Sequence, residues 1–178
     1  MKRRYVIVLA AVLFAAPACF AQFAATGTTT ISVTVSAEAA LQVTTSTTTL
    51  AAVGTIFNPY TGTTNLTYKI RTTQSTGTGS ITLKVTSDFS PANGPSVATP
   101  PTAGDALSYT CTGAAPATPC SGSQTSSTTA STSVATFGAG ASSANAGNAA
   151  STVWSLTNDP LYKTGSYSAT VTYTISAT

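Results

Sequence analysis

The sequence predicts an all-β exported domain, a sandwich or a barrel of antiparallel strands. Three observations carry this expectation. Apolar and hydroxyl side chains alternate strictly along several segments, the period of a strand with one buried face. Thr and Ser make up about a third of the chain, and β-branched threonine favours strands over helices. The apolar runs are separated by Gly, Pro, Asn and Ser at spacings typical of sandwiches and barrels.

In chain order, the first element is a leader. Lys2, Arg3 and Arg4 form a positive start, Tyr5 to Ala16 an apolar run, and Cys19-Phe20-Ala21 a small-x-small end before Gln22. That is the pattern of a cleaved secretory signal peptide over residues 1–21, followed by one domain over 22–178. The apolar run falls short of the roughly 20 residues that cross a bilayer. Cys19 as a lipoprotein acceptor is the rival reading. The expected compartment is the periplasm, the cell surface or the medium.

Alternation then marks Ile31, Val33 and Val35 against Thr30, Ser32 and Thr34, and a further strand is expected over Leu41 to Thr45. It recurs at Leu66, Tyr68 and Ile70 and at Ile81, Leu83 and Val85. The intervening Ser-Thr-Gly-Thr-Gly predicts an antiparallel hairpin, with Lys69, Arg71 and Lys84 on its solvated face. Shorter strands are expected near 106–112, 121–128, 133–137 and 152–156, for a total of about nine. From Tyr167 the inward set is Tyr167, Ala169, Val171, Tyr173 and Ile175. Residues 90–104, rich in proline, and 138–150, almost entirely Gly, Ala, Ser and Asn, read as loops. The second is too poor in apolar area to offset its ordering entropy.

Charge and cysteine content narrow the function. Three of the seven basic residues lie in the leader; Lys69, Arg71, Lys84 and Lys163 then balance Glu38, Asp88, Asp105 and Asp159. A neutral surface argues against nucleic acid, whose phosphates require clustered cations, and lacks the self-repulsion that opposes assembly. In an exported chain Cys111 and Cys120 are expected to form one disulfide. Histidine is absent, and the four acids are far apart in sequence, three of them, Asp88, Asp105 and Asp159, beside turn formers. General acid–base catalysis requires a histidine or two carboxylates held close, so no catalytic residue, cofactor or metal is expected. Trp154 reads as a core plug, and Tyr68, Tyr167 and Tyr173 as core-facing.

The run Gly165-Ser166-Tyr167-Ser168-Ala169-Thr170-Val171-Thr172-Tyr173-Thr174-Ile175 resembles the terminal strand of bacterial fimbrial subunits and of spore-coat-protein-U-like secreted domains. Residues 28–35 are similar to the alternating segment with which such subunits complete a neighbour. The resemblance covers the two ends of the chain. It departs from pilins at Ala177, where they carry tyrosine, and in its mid-chain cysteine pair. It implies an antiparallel immunoglobulin-like β-sandwich and a structural subunit that self-assembles by strand addition or engages a periplasmic chaperone. Ile31, Val33 and Val35 would be the donated side chains, and Gly165, Tyr167, Val171, Tyr173 and Ile175 the closing strand. The other arrangement is that residues 28–35 pair within their own sandwich. The other function class is a monomeric glycan-binding or adhesive module.

Overall fold

The computed structural model describes residues 26–54 and 56–178; the leader expected over residues 1–21 lies outside them. The chain divides into a compact body from Val35 to Thr178 and the residues before it. All regular structure in the body is β: β1 Glu38–Val43, β2 Ala51–Ala52, β3 Tyr60–Arg71, β4 Gly79–Ser90, β5 Leu107–Gly113, β6 Thr118–Pro119, β7 Gln124–Thr125, β8 Thr132–Phe137, β9 Asn148–Leu156 and β10 Ser168–Ala177.

These strands make two antiparallel sheets. One has the order β1-β3-β9-β5-β7, with β2 also on β3; the other has the order β10-β4-β8-β6. Their inner faces pack into one core, as alternation requires when each sheet has a single apolar face. The first sheet supplies Leu66, Tyr68, Tyr109 and Trp154, and the second Ile81, Leu83, Val85 and Phe137, all buried. Aromatic rings interleave: Tyr68 meets Phe137 at 5.1 Å and Tyr109 meets Trp154 at 5.3 Å, both tilted. Trp154 is thus a core plug, as its sequence position predicts.

The two sheets are also tied by polar and covalent bonds. The Tyr109 hydroxyl on β5 lies 2.7 Å from Thr132 Oγ1 and 2.8 Å from the Ser133 carbonyl of β8. Cys111 of β5 is bonded to Cys120, whose amide donates to the Val134 carbonyl on β8. The expected disulfide therefore staples sheet to sheet. The loop it closes is filled by the Tyr68 phenol, which donates to the Ala114 carbonyl and accepts from the Ala117 amide.

Three expectations are corrected. The predicted hairpin is absent: β3 pairs with β1, β2 and β9, whereas β4 pairs with β10 and β8. Residues 72–78 carry the chain from one sheet to the other, so Lys84 faces solvent on a different sheet from Lys69 and Arg71. Each strand is central to its own sheet, and their apolar faces bury more by meeting across the core than by lying side by side. The second correction is to the end of the loop expected over 138–150: residues 138–147 carry no strand, as expected, but 148–150 belong to β9. Its start runs along the end of β3, where Ala141 and Thr72 exchange bonds and the Ser143 amide donates to the Ile70 carbonyl. Its last residues open β9; small side chains permit this close backbone approach. Third, residues 121–128 contribute only the two-residue β7.

Residues 26–37 carry no strand. Ile31, Val33 and Val35 are 91%, 84% and 62% exposed.

Candidate functional site

β10 pairs with β4 alone and is the edge of its sheet. Its outward residues are exposed, and its inward residues Ala169, Val171, Tyr173 and Ile175 are only half-buried against the core. They fall short of full burial because the flank beside them is open. A cleft of about 990 Å³ lies there, with Ala169, Val171 and Tyr173 on one wall and the segment Thr45–Leu50 on the other. Thr64, Trp154 and Leu156 form its floor.

The wall Thr45–Leu50 exists because the edge of the first sheet is interrupted. β1 pairs with the second half of β3 and β2 with its start; between them the chain leaves the ladder. Thr48 and Leu50 point inward, half-buried, while Thr47 and Thr49 are exposed. The segment presses on Gly62, which shares the inward phase of Thr64 and Leu66. A Cβ at Gly62 would stand 2.6 Å from the Thr49 carbonyl oxygen and 2.8 Å from Leu50 Cδ2, so only glycine admits this crossing.

The floor is hydroxyl-lined. Trp154 Nε1 donates to Thr64 Oγ1 at 2.9 Å, and Thr48 Oγ1 lies 2.6 Å from the same oxygen. Thr152 Oγ1, fully buried, sits 2.6 Å from the Tyr173 hydroxyl. Burial pushes the Tyr173 phenol above its ordinary value. Thr64 and Thr152 went unnoticed in the sequence reasoning. Their signal was present: each is a hydroxyl at an inward position of an otherwise apolar strand.

At one end of the cleft the fold joins two acids far apart in sequence. Asp159 accepts from the Thr102 hydroxyl and from the Leu161 amide at 2.8 Å, and Tyr162 OH donates to Asp105 at 3.2 Å. Desolvation, then the adjacent Asp159 carboxyl, raises Asp105; the Thr102 and Leu161 donors hold Asp159 low. As pH falls, Asp105 is therefore the first of the two to take up a proton. Burial and the two acids push the Tyr162 phenol far up. Sequence separation had suggested that no two carboxylates meet, and folding overturns that. Both acids still serve local turns: the Asp105 amide donates to the Thr102 carbonyl and the Tyr162 amide to the Asp159 carbonyl.

The predicted closing residues divide between strand and loop. Val171, Tyr173 and Ile175 lie on β10, whereas Gly165 and Tyr167 precede it. The Tyr167 ring covers Gly94, and its hydroxyl donates to the Lys163 carbonyl at 2.7 Å. Tyr68 and Tyr109 are buried, and Trp154, whose indole reaches the cleft floor, is only 4% exposed. Among the described residues no three His, Cys, Asp or Glu side chains come together to hold a metal, and no helix is long and apolar enough to cross a membrane.

Fold and site together define an antiparallel β-sandwich with one flank stapled by a disulfide and the other opened by a cleft beside an edge strand. No protein family, curated protein or solved structure matches the chain.

Proposed function

We propose that the protein is an exported structural subunit that assembles by strand addition, residues 28–35 of one copy lying in the cleft beside β10 of another. The observation that carries this reading is an edge strand with no second neighbour, flanked by an open cleft with an apolar wall. An edge of this kind is a template for a further strand: main-chain bonds supply affinity and alternate pockets supply specificity. The chain carries a segment of matching period. Ile31, Val33 and Val35 present three apolar side chains over five residues, and Ala169, Val171 and Tyr173 line the cleft over five. Burying each donated side chain contributes about 1.5 to 3 kcal/mol, a gross gain reduced by the cost of ordering the segment. The neutral charge balance after the leader adds no repulsion between copies.

The test is the full chain carrying Ile31→Asp and Val33→Asp. Filaments that form with concentration in negative-stain images of the parent are expected to disappear, with the far-UV circular dichroism unchanged. Undiminished filaments from this variant, or no assembly by the parent at any concentration, would sink the proposal.

A further inference from the structure

The wall of the cleft repeats the sequence proposed to enter it. Thr47-Thr48-Thr49-Leu50 and Thr28-Thr29-Thr30-Ile31 are each three threonines followed by a branched aliphatic residue. The phase matches as well: Thr48 and Leu50 point inward, and Thr29 and Ile31 share the inward phase of Val33 and Val35.

The attachment of Thr47–Leu50 is of the kind that can be exchanged. It belongs to no strand. It is held by the Thr48 hydroxyl on Thr64 at 2.6 Å, by Leu50 against the core edge and by contact with Gly62. Thr64 is a buried hydroxyl that also accepts the Trp154 N–H, so a displaced Thr48 must be replaced by another polar partner at that position. Thr29 supplies one.

Resting on the strand-addition reading, we infer that Thr47–Leu50 is an internal stand-in for Thr28–Ile31 of a second copy. It occupies the cleft of the free subunit, and on assembly it yields the Thr64 contact to Thr29 and the place of Leu50 to Ile31. The subunit thereby keeps a satisfied cleft floor until a partner arrives, and assembly becomes an exchange between two like segments.

The acceptor for the test is the full chain with Ile31→Asp and Val33→Asp, which silences its own segment; the probe is a fluorescent peptide of residues 26–37. In this background Thr48→Val removes the bond that holds Thr47–Leu50 to Thr64 and leaves the Thr64 hydroxyl in place for the peptide. It is expected to bind the peptide about tenfold more tightly than the acceptor that keeps Thr48. Leu50→Ala, made separately, is expected to tighten binding about tenfold by removing a competitor. Unchanged or weaker binding by either variant overturns the stand-in and leaves strand addition in place. Failure of every form, Leu50→Ala included, to bind the peptide overturns strand addition itself.

Discussion

Thr64 shows how much one hydroxyl carries. It faces the core from β3, accepts the Trp154 N–H and meets Thr48. Thr64→Val keeps the shape and strands the indole donor, so unfolding by urea is expected to show a loss of about 1 to 3 kcal/mol; Thr64→Ser is expected to retain most of the stability. Asp88 works at the other sign of charge. Burial would raise its carboxyl, but donors from Val97, Ser96, Ala98 and Phe89 together hold it below the ordinary value. Its contribution is therefore complete above the unfolded carboxyl value and is lost as pH falls through the lowered one. Thermal melts between neutral pH and pH 2 are expected to show an acid loss in the parent that is smaller in Asp88→Asn, where only the part owed to other lowered carboxyls such as Asp159 remains. At this scale the sequence was informative: alternation placed Leu66, Tyr68, Ile81, Leu83, Val85 and Trp154 inward, and all are buried. It left Thr64 unmarked because a lone threonine in a threonine-rich chain carries no contrast.

Elements were legible in type and less so in partnership. Period-two patterning says which face of β3 and β4 is buried, and both faces are where it placed them. It says nothing about which strand lies alongside, and a turn-like Ser-Thr-Gly-Thr-Gly serves a crossing between sheets as readily as a hairpin. The stretch over 138–150 was legible as a loop as far as residue 147, whereas what holds it in place was not. Its order comes from backbone bonds to residues 70–73 rather than from apolar burial, and composition does not report those. Gly62 yields a prediction at this scale. A methyl group there collides with the Thr49 carbonyl and Leu50, so Gly62→Ala is expected to lower stability by about 1 to 3 kcal/mol, read by denaturation. Weakened Thr48 contact is expected to appear as a shift in Trp154 fluorescence.

At the scale of the molecule, regular structure among the described residues begins at Glu38. A chain lacking residues 26–36 is expected to give the circular dichroism and melting temperature of the parent while losing assembly; loss of folding would return those residues to the sandwich. Replacing both Cys111 and Cys120 by serine is expected to cost about 2 to 3 kcal/mol, the chain-entropy value for a short loop, and to lower the melting temperature accordingly. The sandwich followed from the sequence because one period governs every long strand. The cleft did not, because it arises where β1 and β2 fail to meet along β3, a matter of register.

The position of the Cys111–Cys120 bond has a mechanical consequence. β5 and β6 stand far from β1 and β10 in the orders of their sheets, so the sulfur bridge and the cleft occupy opposite flanks. The covalent staple therefore fixes the sheet separation on the flank away from the cleft, and on the cleft's own flank that separation rests on non-covalent packing alone, the approach of β1 to β10 included.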